Sequence, residues 1–267
     1  MNRALLVGIN KYPGAPLNGC INDITDMAHF LSTNCELKTS DIRLVTDERA
    51  TTANIFDRLG WLITSVRAGD HLVFHYSGHG AQVPTRNFSG EVDKLDEVIC
   101  PVDFDWSDKR LIRDKDFARL FGSIPSGVKL TWISDSCHSA DLSRDFLPHG
   151  RLNKLFPVPA DMNWRQVTAR DKKMKAMEIT GSGKQLANGV LISGCKSNQT
   201  YADATFKNRS NGALTYYLLK TLTSKGGLKL PMSDVLTKVR ASLKSNDFSQ
   251  VPQLEGSSTL MKKPFVG

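Results

Sequence analysis

Apolar residues recur along this chain in two rhythms. Mostly apolar runs at residues 3–9, 42–45, 71–76, 128–134 and 189–194 read as buried strands, and one at 98–102 reads as another. Between them the spacing changes to three and four. Ile21, Ile24, Ala28 and Leu31 mark a helix over 18–32, and Ile55, Leu59, Leu62 and Val66 mark one over 51–66, with Thr51 or Thr52 as its N-cap. Further helices are expected over 114–121, 212–223 and 232–243, the last with Pro231 suited to its first turn. Strands alternating with helices predict an α/β fold, its sheet mostly parallel and covered on both faces.

Two of the strand runs end in reactive residues. The run at 71–76 breaks into Ser77-Gly78-His79-Gly80, and the run at 128–134 into Asp135-Ser136-Cys137-His138. Carboxyl ends of parallel strands share one edge of a sheet, where ligands bind. A thiolate is the attacking form of cysteine, and an imidazole can take its proton and return it to a leaving amine. Cys137 is thus the candidate nucleophile and His79 the candidate base. Gly80 lets backbone approach a substrate closely, and its N–H and that of Cys137 are candidate oxyanion donors. A buried structural cysteine beside a satisfied histidine is the competing reading for either residue alone. Their shared position at strand ends favours chemistry.

Composition narrows the setting. With 267 residues and 40% hydrophobic content, the chain suits one large domain or two small ones. The first apolar run is too short for a signal-peptide core or a membrane span, so a soluble, cytoplasmic protein is expected. Five cysteines without paired spacing argue for reduced thiols. The net charge of +8 is concentrated: residues 144–185 hold nine Lys or Arg against four Asp or Glu. This segment shows no base-stacking aromatic pattern or recognition motif, which argues against nucleic acid.

Several stretches together carry a family resemblance. Ser77-Gly78-His79-Gly80-Ala81-Gln82, the stretch from Leu95 to Asp103, and Ile133-Ser134-Asp135-Ser136-Cys137-His138-Ser139 are similar to the metacaspases, caspase-like cysteine peptidases. So are residues 4–10, 16–23 and 192–204, in the same order. The resemblance implies a caspase-like fold in a single domain over 1–267, with a large portion (1–143), a basic intervening segment (144–186) and a small portion (187–267). It implies an endopeptidase cutting after Arg or Lys through His79 and Cys137. Asp23 and Asp135 match the acids of the basic-specificity pocket, and Cys20 and Ser77 match residues lining it. Carboxylates fixed at a pocket floor are suited to a substrate cation. A buried acid beside the nucleophile would raise the thiol pKa unless such a cation offset it.

The resemblance also implies calcium as an activator rather than a catalytic metal, with Glu91, Asp93, Asp96 and Glu97 as candidate ligands. Calcium takes roughly 6–8 oxygens, so carbonyls, water or a second loop would have to contribute. Asp141 and Asp145 both qualify for the last role. The basic segment, with Arg165, Arg170, Lys172, Lys173 and Lys175, offers such an enzyme substrates within itself, so occupation of the active site and self-cleavage are expected there. The expected partners are protein or peptide substrates, and the expected state is monomeric. The family usually has Gly where this chain has Ala140, which would restrict the loop after the cysteine. A non-catalytic binding protein and a transamidase or ligase using the same dyad are the alternatives.

Overall fold

The computed structural model describes residues 1–84, 95–136, 152–156, 188–193, 202–206 and 208–266. Its centre is a six-stranded sheet in the order β12-β9-β7-β3-β1-β2, built from β1 (Arg3–Gly8), β2 (Ile42–Thr46), β3 (His71–Ser77), β7 (Lys129–Asp135), β9 (Gly189–Ser193) and β12 (Gln253–Gly256). All neighbours pair in parallel except β12, which runs antiparallel to β9.

Successive side chains of a strand point to opposite faces, and both faces are covered here. Leu5, Val7, Phe74, Trp132 and Leu191 pack on one side against α2 (Thr52–Ile63) and α3 (Asp114–Gly122). Ala4, Leu6, Val73, Ile133 and Ile192 pack on the other against α1 (Cys20–Asn34), α4 (Ala213–Leu222) and α5 (Met232–Lys244). The short α6 (Ser258–Met261) follows β12. Trp132 is fully buried, with Phe117 at 4.4 Å and Phe121 at 5.6 Å between ring centroids. Each such buried ring contributes on the order of 1.5–3 kcal/mol. Thr51 caps α2, its side chain accepting from Asn54 N.

Register aligns the ends that matter. Gly8 pairs with Ser77, and Ser77 with Asp135, so β1, β3 and β7 finish level. A Cβ on Gly8 would collide with the Cys20 carbonyl, so glycine there lets the first turn of α1 sit over that edge.

The apolar runs at 3–9, 42–45, 71–76, 128–134 and 189–194 all appear as strands, within two residues at each end. Two small antiparallel sheets lie outside the central one, and the strand expected at 98–102 is found in one of them, shifted to 95–99. One joins β4 (Gly80–Pro84), β5 (Leu95–Ile99) and β6 (Ile112–Arg113); the other joins β8 (Leu152–Asn153), β10 (Ala202–Phe206) and β11 (Arg209–Gly212). The polar break after β3 is therefore brief, because Gly80 already begins a strand. β8 lies inside the basic segment, where no periodic element was expected.

Candidate active site

An acid-lined pocket sits at the level edge of the sheet. Ser77 ends β3, Asp135 ends β7, and Asp23 projects from the first turn of α1; all three are 0% exposed. Ser77 Oγ donates to Asp23 Oδ2 at 2.6 Å. Asp23 also accepts from Gly212 N at 2.8 Å and from Asn211 Nδ2 at 3.1 Å. Asp135 Oδ2 accepts from Thr215 N at 2.9 Å and Thr215 Oγ1 at 2.7 Å. Gly212 and Thr215 belong to the start of α4, whose dipole favours negative charge at that end. A Cβ on Gly212 would collide with Asp135 Oδ2, so the pocket floor requires glycine.

The pocket holds a cation from the chain itself. Lys154, 0% exposed, places Nζ 3.2 Å from Asp23 Oδ2, 2.9 Å from Ser77 Oγ and 3.2 Å from Asp135 Oδ1. An ammonium has three donors, and three oxygens receive them. Two buried acids are thereby paired with a buried base, the condition under which charges are tolerated in an interior.

The backbone around Lys154 is extended and bound on both sides. Lys154 O accepts from Gly80 N at 3.0 Å, and Phe156 N donates to Gly80 O at 3.0 Å. On the other edge, Asn153 pairs with Ala202 and Leu152 with Asp203, antiparallel. Residues 152–156 thus lie in a groove as an added strand, between β10 and the first residue of β4.

His79, 2% exposed, stands between β3 and β4. Its Nε2 lies 2.7 Å from the carbonyl of Ala15, an acceptor only, so the proton is on Nε2 and a neutral ring keeps its lone pair on Nδ1. The peptide is fixed as well: His79 N donates to Tyr12 Oη at 3.0 Å, and Tyr76 Oη donates to His79 O at 2.7 Å. Tyr12 lies over the ring at 4.5 Å. Cys137 follows Ser136 and falls outside the described residues, as do Glu91, Asp93, Ala140, Asp141 and Asp145. His79 is two residues past Ser77 and Cys137 two residues past Asp135, and Ser77 and Asp135 are paired neighbours.

Of the residues read from sequence, Asp23, Ser77 and Asp135 are brought together, with Gly80 N–H directed at a carbonyl. Cys20 is buried at the start of α1, with its N–H donating to Asn10 Oδ1 at 2.9 Å. Lys154, Gly212, Asn211, Thr215 and the Ala15 carbonyl were not anticipated. The five basic residues singled out in the intervening segment lie outside the described residues.

The described half of the acidic cluster is split between two faces of a strand. Asp96 and Glu97 are consecutive in β5, so their side chains leave opposite faces. Asp96 is already engaged by cations: Arg113 Nε donates to Oδ2 at 3.0 Å and Lys115 Nζ to Oδ1 at 2.6 Å. Nearby Asp114 has its pKa pushed up to about 6, chiefly by burial. Among the described residues, no group of three His, Cys, Asp or Glu side chains could hold a metal ion.

Sheet order and edge-on pocket define a caspase-like α/β protein. Caspase-1 from Spodoptera frugiperda matches with a TM-score of 0.58 at 10% identity, covering 100% of this chain and 91% of the other, a likeness of fold alone. A protein from Geobacter sulfurreducens matches with a TM-score of 0.71 at 25% identity, covering 98% and 97%. The family model for the metacaspase, peptidase C14 domain, matches residues 2–144. Metacaspase-1 of Meyerozyma guilliermondii is 31% identical over 289 residues, 96% of this chain and 69% of that protein. The chain belongs to the metacaspase family of cysteine-type peptidases, and the resemblance read from its motifs is borne out. Among the described residues, no helix is long and apolar enough to cross a membrane.

Proposed function

We propose that the chain is an endopeptidase that cleaves after Lys or Arg, with Cys137 as nucleophile and His79 as base. The observation that carries this reading is Lys154. Its ammonium is bound by Asp23, Ser77 and Asp135 while its carbonyl oxygen faces the Gly80 N–H, the pose required of a residue preceding a scissile bond.

The chemistry follows from that pose. The Cys137 thiol gives its proton to His79 Nδ1, the nitrogen left basic by the Ala15 contact. The sulfur attacks the substrate carbonyl carbon, and the oxyanion is held by the N–H groups of Gly80 and Cys137. The carbon–nitrogen bond breaks, and the leaving amine takes the proton from His79. Water then attacks the thioester, giving a proton to His79, which returns it to the departing sulfur. The substrate cation has a second role. Paired with Asp135, it cancels a negative charge two residues from the thiol, so ionisation of Cys137 is easiest when a basic side chain fills the pocket.

In the chain as folded, residues 152–156 occupy that groove, so the enzyme begins self-occupied and is released when its own segment is cut. Partners are then polypeptides that present Lys or Arg in an extended segment.

The deciding experiment uses fluorogenic peptides ending in Lys, Arg or Asp against wild type and Cys137→Ala. Hydrolysis of the Lys and Arg peptides alone, lost in Cys137→Ala, is expected. Equal turnover of the Asp peptide, or activity surviving in Cys137→Ala, overturns the assignment.

A further inference from the structure

The pocket for Lys154 accounts for the residue before the cleaved bond. The same groove continues past that bond, and its far end is aromatic. Phe156 is the second residue after Lys154, and its N–H is fixed on Gly80 O at 3.0 Å. Its ring meets four others edge-on: Phe104 at 5.1 Å, His79 at 5.3 Å, Tyr12 at 5.7 Å and Trp106 at 6.3 Å between centroids. Interplanar angles of 65° to 81° put ring edges against ring faces, the arrangement that aromatic quadrupoles favour.

The walls of this hollow are fixed independently of Phe156. The Tyr12 hydroxyl is buried and lies 2.8 Å from Cys100 O and 3.0 Å from Tyr76 Oη. Phe104 and Trp106 contact each other at 4.9 Å, and the Phe104 N–H is held by Pro101 O at 3.0 Å. Trp106 adopts φ 69°, an uncommon conformation for a bulky residue that aims its ring into this cluster. These residues come from the loops after β1 and β5, distant in sequence and converging beside His79.

We infer that Tyr12, Phe104 and Trp106 form a second specificity subsite, which selects an aromatic side chain two positions after the cleaved bond. This rests on the proposed peptidase reading and extends it from the basic residue to the leaving side of the substrate. The occupant is stated by the chain itself: Lys154-Leu155-Phe156 is a substrate sequence in place. Contact with the His79 ring means that a filled subsite also shields the base from water.

The test uses internally quenched peptides of sequence Leu-Asn-Lys-Leu-Xaa-Pro-Val, with Xaa as Phe, Trp, Ala or Asp. Wild type is expected to cut the Phe and Trp peptides with kcat/KM roughly tenfold or more above the Ala peptide, and the Asp peptide more slowly still. In Trp106→Ala the ratio of Phe to Ala peptide should shrink toward one. A coumarin amide of Leu-Asn-Lys, with no residue in that position, serves as the reference for wild type. If the amide is cut and the four peptides are cut alike, the subsite is wrong while the peptidase reading stands. If neither the amide nor the peptides are cut, the peptidase reading itself fails. The wild-type series decides the question even if Trp106→Ala does not fold.

Discussion

The backbone N–H of Gly80 donates to the carbonyl oxygen of Lys154 at 3.0 Å. On the proposed reading, a carbonyl held there by a lysine whose side chain fills an acid pocket is a peptide bond presented for attack. Self-cleavage should therefore fall between Lys154 and Leu155, earlier than the cluster from Arg165 to Lys175. Intact-mass analysis of the purified chain should show two fragments meeting at that bond, absent from Cys137→Ala. Fragments ending only at Arg165, Arg170 or Lys172 would contradict the assignment.

Removing the plug should have the opposite effect on external substrates. Lys154→Met keeps length but loses the three polar contacts, and leaves Asp23 and Asp135 without that internal cation. Losing one partner of a buried ion pair costs about 3–5 kcal/mol while the pocket stays closed. The segment should leave instead and admit water. The expected result is a higher initial rate on Lys and Arg peptides without any lag, and no cut after position 154. An unchanged lag would mean that residues 152–156 do not limit access.

On the proposed reading, Thr215 is a positioning residue for the acid-lined pocket. Its hydroxyl donates to Asp135 Oδ2 at 2.7 Å, and His75 Nε2 lies 3.2 Å from Thr215 Oγ1 itself. Thr215→Val removes the hydroxyl and leaves the backbone donor. A hydrogen bond to a charged group contributes about 1.5–3 kcal/mol, so KM for Lys and Arg peptides should rise about tenfold or more, with kcat little changed. Thr215→Ser should restore KM. An equal loss of kcat in both variants would indicate general misfolding.

Calcium is expected to change little. Arg113 and Lys115 already supply positive charge to Asp96, and an ion would have to displace them. Melting temperature and peptide turnover should match in chelator and in calcium. A ligand present at about 100 times its Kd stabilises a protein by about 2.7 kcal/mol, enough to shift melting by degrees. A calcium-dependent rise of that size would show that Glu91 and Asp93, with other groups, build a site regardless.

How much of this was legible in the sequence depends on the kind of signal each residue leaves. The strands of the central sheet announce themselves because burial on both faces demands mostly apolar runs such as Leu72 to Phe74. His79 and Asp135 stand at the ends of such runs, so topology alone puts them on one edge. Lys154 leaves no such mark, since one lysine in a basic segment resembles its neighbours until the fold supplies two acids. Gly212 and Thr215 act through backbone and hydroxyl contacts at a helix start, a position that many sequences satisfy. The surroundings of Asp96 were hidden for a related reason. Its cationic partners come from β6 and α3, which its proximity in sequence to Glu97 does not reveal.

His75 should govern part of the acid stability. It is fully buried in β3, and desolvation, opposed by Asp135 and aided by Lys154, lowers its pKa from 6.5 to about 4. The folded chain thus keeps His75 neutral where the unfolded chain would protonate it. Because the unfolded state binds the extra proton, stability is intact above pH 6.5 and is lost as pH falls from there to about 4. The full effect is roughly 3 kcal/mol, at about 1.36 kcal/mol per pKa unit. His75→Gln keeps a side-chain donor for Thr215 but cannot titrate. Its melting temperature should vary less between pH 7 and pH 4.5 than that of wild type. Parallel curves for the two proteins would show that other groups carry the acid sensitivity.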